Sequence, residues 1–159
     1  MGICMLKKSL VQGLFICLIT VFPVNAATVS FLVIETGLPR ESPSSQHSAM
    51  WENGLMDVFF ESGHIVSNAP ILRVIRTPGS GFPDEAERDY DEAEEGGMDY
   101  FVVAIVSHPI PCNVTLRLFK IGSQQVLFEH KYTGKTYRTS KEEYDAVKSE
   151  IRVLAARVK

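Results

Sequence analysis

The residues whose types and spacing could support covalent chemistry are His108 and Cys112, four apart in Ser107-His-Pro-Ile-Pro-Cys112. A cysteine attacks as its thiolate, and a neighbouring imidazole can take the proton. The pair follows directly on the apolar run 99–107, and open α/β sheets place their sites at the carboxyl ends of strands. Pro109 and Pro111, however, predict an extended path that holds the imidazole off the thiol. On that ground Cys112 reads as a small, partly buried apolar residue that is dispensable as a nucleophile. Glu35 ends an earlier apolar run, and Glu41 and His47 lie in or just after the Ser- and Pro-rich stretch behind it. Together Glu35, Glu41, His47, His108 and Cys112 form the candidate binding set at the carboxyl edge of a sheet. Serine, acid and histidine types also occur between Glu41 and His47, without the Gly-x-Ser-x-Gly elbow that would make a serine a nucleophile. No catalytic set is expected.

His47, His64, His108 and His130 include no short ligand pair such as His-x-x-x-His, so neither a metal nor another cofactor is expected. Between Asp84 and Glu95 eight carboxylates face one cation, Arg88. Asp89-Tyr-Asp91 alternates oxygen ligands but lacks the glycine that a calcium loop needs for its sharp turn. The stretch reads as a solvated helix face, with a basic protein partner as the alternative.

These residues need a scaffold, and its centre is Asp99-Tyr-Phe-Val-Val-Ala-Ile-Val-Ser107. Apolar residues at both parities imply a strand covered on both faces, the habit of parallel or mixed sheets flanked by helices. Thr28–Glu35 reads as another such strand. Trp51, Leu55, Val58, Phe59 and Ser62 fall at helical spacing, predicting a helix over about 45–62 with Trp51 on its buried face and Gly63 as its left-handed cap. Gly54 sits inside that helix at a cost of about 1 kcal/mol against alanine. His64–Asn68 predicts a short strand, and Ile71–Ile75 either extends it past Pro70 or forms a separate edge segment. A second helix is expected from Pro83 to Gly96-Gly97, with Ala86, Tyr90 and Ala93 inward. Val114–Phe119 and Val126–Tyr132 alternate as a hairpin around Gly122-Ser123, read as a primed turn. A last helix begins at a capping box, Ser140-Lys-Glu-Glu143, and carries Tyr144, Val147, Ile151, Leu154 and Val158 along one face. The fold class is therefore α/β with a mixed sheet, ordered β-α-β-α-β-β-β-α: three parallel strands, an antiparallel hairpin and helices on both faces.

Residues 1–26 read as a cleaved signal peptide: Lys7 and Lys8, an apolar stretch to Val24, and small residues ending at Ala26. The stretch is short of the roughly 20 residues a spanning helix needs, and Cys17 lies within it rather than in a lipidation context. Residues 27–159 then form one α/β domain in the periplasm. The whole chain carries a net charge of −3, and loss of two lysines brings the mature domain to about −5, which argues against a nucleic-acid partner. Of the three cysteines only Cys112 would remain, so no intrachain disulfide forms.

Two stretches carry a resemblance. Gly96-Gly97-Met98-Asp99-Tyr100 leading into Val102-Val103, and Leu116-Arg117-Leu118-Phe119-Lys120-Ile121-Gly122 followed by Val126-Leu127 and a terminal amphipathic helix, resemble a group of bacterial envelope α/β domains. The group comprises the N-terminal domain of the Tol-Pal translocation protein TolB, the periplasmic domain of the curli secretion channel, the flagellar outer-membrane protein FlgO, and lipoprotein activators of penicillin-binding proteins. The resemblance implies a non-catalytic domain acting through envelope protein partners, in cell-envelope or surface-appendage assembly, and is compatible with peripheral membrane association. The alternative is a small periplasmic hydrolase or ligand-binding protein using the carboxyl edge of the sheet.

Overall fold

The structure is a computed structural model, and it describes residues 26–39 and 45–159. The signal peptide expected over residues 1–26 lies, apart from Ala26, outside the described residues. No helix among the described residues is long and apolar enough to cross a membrane.

In chain order the elements are β1 (Thr28–Thr36), α1 (Gln46–Glu61), β2 (Ile65–Asn68), β3 (Leu72–Val74), α2 (Glu87–Glu95), β4 (Tyr100–Ser107), β5 (Asn113–Lys120), β6 (Val126–Tyr132) and α3 (Ser140–Ala155). They build one mixed sheet in the order β2-β1-β4-β5-β6, with β3 also on β1. β2, β3 and β4 run parallel to β1, while β5 and β6 are antiparallel to their neighbours. There are thus four parallel strands rather than three. Ile71–Ile75 supplies the fourth as a separate strand on the same side of β1 as β2. Thr28 pairs with Ile65 and Ile34 with Leu72, so the register advances by one residue between β2 and β3, where Pro70 can donate no ladder hydrogen bond.

The two central strands are buried along almost their whole length, as runs apolar at both parities require. One face carries Val29, Phe31, Val33, Val102, Ala104, Leu116 and Leu118 against α1 and α3. The other carries Leu32, Ile34, Phe101, Val103, Ile105 and Phe119 against Ala86, Tyr90 and Ala93 of the α2 segment. The crossover from β1 to β2 and that from β3 back past β1 to β4 run in opposite directions along the sheet. With one hand of crossover, their helices must lie on opposite faces, as they do.

Both crossover helices end as their glycines predict. After α1, Gly63 at φ +84° donates to the Phe60 carbonyl and His64 to that of Phe59. After α2, Gly97 donates to Glu94 and Met98 to Ala93, the same double bond pattern. That second cap delivers Asp99, whose carboxylate accepts from the Thr28 N–H (2.9 Å) and hydroxyl (2.8 Å) and ties the start of β4 to that of β1.

Three boundaries differ from the sequence reading. α3 is capped by Thr139, not Ser140: Thr139 Oγ1 accepts from the Glu142 N–H, and Glu142 in turn accepts from the Arg138 N–H. The box is shifted by one residue, which leaves Glu143 available for a different partner. The hairpin connection spans residues 121–125 and turns at Gly122, φ +82°, instead of using a two-residue primed turn. Pro83 precedes a 3-10 turn, Asp84–Ala86, and α2 begins only at Glu87. Asp89, expected on the solvated face, is buried beside Arg88.

Trp51 is buried, as its spacing predicts. Gly54 is explained by packing: a Cβ there would lie 2.9 Å from both Ile151 Cδ1 and Val147 Cγ1 of α3. The glycine sets how closely α1 and α3 approach. Gly54→Val should therefore wedge the helices apart and cost about 1–3 kcal/mol in a denaturant melt, outweighing any gain in helix propensity.

Candidate functional site

The carboxyl ends of β1 and β4 bring Glu35, His47, His108 and Cys112 into one region, while Glu41 lies outside the described residues. They do not converge on an open pocket. Glu35 and His47 each belong to a separate bonded set, and His108 and Cys112 form a third.

Glu35 stands next to last in β1, with no exposed surface. One carboxylate oxygen accepts from the Ser45 N–H (3.1 Å) and the Ser48 hydroxyl (2.8 Å). The other accepts from Arg73 Nε (2.9 Å) and Nη2 of β3. Arg73 Nη1 donates in addition to the Pro39 carbonyl at 2.9 Å. Burial by itself would raise the Glu35 pKa, but the hydrogen bonds from Arg73, Ser48 and Ser45 and the Arg73 charge outweigh it, holding the carboxyl below its ordinary 4.5.

His47, in the first turn of α1, meets Glu143 of α3 through Nδ1 at 2.7 Å. His108 Nδ1 lies 3.4 Å from Cys112 Sγ. The expected separation of these two is therefore not observed: His108-Pro109 and Ile110-Pro111 are cis peptides, so the segment is not the extended one that the prolines suggested. Two glycines admit neighbouring backbone here. A Cβ on Gly37, φ +81°, would lie 2.7 Å from the His108 carbonyl oxygen, and one on Gly134 would lie 2.5 Å from the Cys112 carbonyl oxygen.

The contact does not make an activated dyad. Burial, and secondarily the Glu143 carboxylate, push the Cys112 thiol up to about 11, so near neutral pH about one molecule in 10⁴ holds a thiolate. Burial also lowers the His108 pKa, opposed by Glu35 and reinforced by His47 and Arg73. Both partners are then neutral near pH 7. His108 Nε2 is buried, with no hydrogen-bond partner among the described residues. The space beside Cys112, lined by His47, Trp51, Tyr132 and Glu143 among others, has a volume of ≈ 10 Å³, enough for a single water at most. No group of three or more His, Cys, Asp or Glu among the described residues is placed to hold a metal.

A larger depression, ≈ 630 Å³, lies elsewhere, between α1 and α3 over Ala49, Met50, Asn53 and Tyr144. Asp57, Ser140 and Lys141 also line it, and the Tyr144 hydroxyl donates to Asp57 at 2.7 Å. Sequence reasoning did not find Arg73, Ser48 or Glu143. The available signal was Glu35 itself, since a charge in a strand buried on both faces requires a partner.

No protein-family model matches this chain, and no match to a curated protein is found. Among solved structures, the PelC dodecamer from Paraburkholderia phytofirmans is similar at 16% identity and TM-score 0.51, covering 84% of this chain and 90% of its own. The LpoB C-terminal domain from Escherichia coli is similar at 12% identity and TM-score 0.45, over 74% of this chain and 87% of its own. Lipoprotein GNA1162 from Neisseria meningitidis is similar at 13% identity and TM-score 0.45, over 82% and 99%. The PelC similarity is one of fold; the other two are too loose to carry an argument. These structures are not the TolB, curli-channel or FlgO domains that the sequence resembles.

Two outcomes follow from the geometry. Glu35→Gln should destabilise the fold by about 3–5 kcal/mol, because it strips a buried ion pair of one partner. The wild-type contribution is present above the ordinary value of 4.5 and is lost as pH falls through the lower folded value, so urea melts from pH 7 to pH 3 should show the gap between wild type and variant narrowing below about 4.5. Cys112 should react with iodoacetamide at neutral pH far more slowly than a free cysteine, and Cys112→Ser should keep the native melting temperature.

Proposed function

We propose that this chain is an exported, non-catalytic domain that acts by protein contact in the bacterial cell envelope. The observation that carries the reading is a contrast between its two kinds of surface. At the carboxyl edge, where chemistry would be done, Glu35 is spent on Arg73, Ser45 and Ser48, His47 on Glu143, and His108 and Cys112 face each other across a space of ≈ 10 Å³. Away from it, large apolar side chains stand in solvent: Phe60 at the end of α1 is 72% exposed and Ile65 at the start of β2 is 61% exposed. In this reading Phe60 and Ile65 are the positions offered to a protein partner. The export reading adds the compartment, through Lys7, Lys8, the apolar stretch after them and Val24-Asn25-Ala26. The resemblance to envelope domains at Gly96–Tyr100 and in the hairpin supports the same assignment. The fold shared with a protein that forms a dodecamer is compatible with a role in assembly.

The test is made in a bacterial host. The mature chain should be recovered from the periplasm with Ala27 at its N-terminus, and a photo-crosslinking residue at position 60 should yield adducts with an envelope protein that the same residue at exposed position 91 does not. Retention of the leader in the cytosol, or a Cys112→Ser variant that folds but loses its cellular function, would contradict the proposal.

A further inference from the structure

The sheet has two edges, and they differ. The β2/β3 edge is broken into four and three residues by a register advance at Pro70, which blunts it as a template for further strands. The β6 edge is seven residues without proline or glycine, Val126-Leu-Phe-Glu-His-Lys-Tyr132; its pairing with β5 is regular from Phe128 to Tyr132 and shifts register at Leu127, and among the described residues no strand lies beyond it. Its side chains alternate: Val126, Phe128, His130 and Tyr132 are half-buried, while Leu127, Glu129 and Lys131 are exposed.

We infer that β6 is a self-association edge, pairing antiparallel with β6 of a second copy of this chain about a two-fold axis at His130. The occupant follows from the register. Directly opposed residues in an antiparallel pair share a face, so in self-pairing the axis must pass through a residue rather than between two. An axis at Glu129 opposes two carboxylates, and one at Lys131 opposes two ammonium groups, both unfavourable. An axis at Phe128 sets Leu127 against Glu129. An axis at His130 instead opposes Glu129 to Lys131 of the second copy twice over, and Phe128 to Tyr132 twice over. Charge complementarity thus selects one register, and the contact is isologous and closed. Within each copy Glu129 accepts from Arg117 Nε at 2.8 Å and lies 3.1 Å from Lys131. The two-fold axis leaves both copies of α3 on the same face of a continuous sheet. This association is independent of any envelope partner and of the export reading.

The experiment is cysteine cross-linking combined with sedimentation equilibrium, on the full chain with Cys4, Cys17 and Cys112 replaced by serine. His130→Cys should oxidise to a covalent dimer, since directly opposed Cα atoms in an antiparallel pair lie about 4.5–5.5 Å apart, within disulfide reach. Leu127→Cys, which faces Thr133 of the second copy, should cross-link far less. The parent chain should sediment at twice the chain mass at high micromolar concentration, and Lys131→Glu, which sets a carboxylate opposite each Glu129, should return it to the single-chain mass. A parent chain at single mass, a Lys131→Glu variant still at double mass, or equal cross-linking from positions 127 and 130 would overturn the inference.

Discussion

Three parts of the chain meet at the carboxylate of Glu35. The end of β1 presents it, the edge strand β3 supplies Arg73, and the start of α1 contributes the Ser45 amide and the Ser48 hydroxyl. Arg73 reaches on to the Pro39 carbonyl in the loop between β1 and α1. A bare carboxylate at this depth would carry a prohibitive desolvation cost, so the site persists only because its acceptor positions are filled. Filling them fixes where α1 begins. The position of α1 sets that of Gly54, and Gly54 sets how near α3 can come. A polar constraint at one end of the sheet thereby positions the helix layer on one face.

The same closure shapes what the edge can do. His47 is turned toward Glu143, which is free because the α3 cap uses Thr139 and Glu142. His108 and Cys112 come within 3.4 Å, the arrangement that a thiol nucleophile would need, yet burial acts on both in the direction of neutrality. Catalytic cysteines sit where a cation or helix N-terminus favours thiolate; here the nearby charge acting on Cys112 is the Glu143 carboxylate. Proximity and activation are separate conditions, and this pair meets the first alone.

Much of the scaffold was legible in the chain because its signals are local. Apolar runs at both parities announced the covered strands, 3.6-residue spacing placed Trp51 and Ile151 inward, and Gly63 and Gly97 marked helix ends. What was not legible depends on distance or on backbone detail. Arg73 lies between Leu72 and Val74 in an unremarkable short strand, 38 residues from Glu35, and only the parallel register of β3 on β1 brings them together. Gly54 looked like a weakness in a helix until the partner helix was placed over it. The α3 cap slipped by one because Thr139 and Ser140 are both good capping residues and the sequence does not say which one leaves the helix. Pro109 and Pro111 suggested an extended segment, which fails where both prolyl bonds are cis.

Glu35 is a structural anion, held ionised by Arg73 with both carboxylate oxygens hydrogen-bonded. A pH titration of the Glu35 side-chain carboxyl carbon, followed by NMR in the folded protein, reads that state directly. An ionised, fully hydrogen-bonded carboxylate should titrate below 4.5. A midpoint above 4.5 would mean that burial outweighs the hydrogen bonds from Arg73, Ser48 and Ser45, and would contradict the claim.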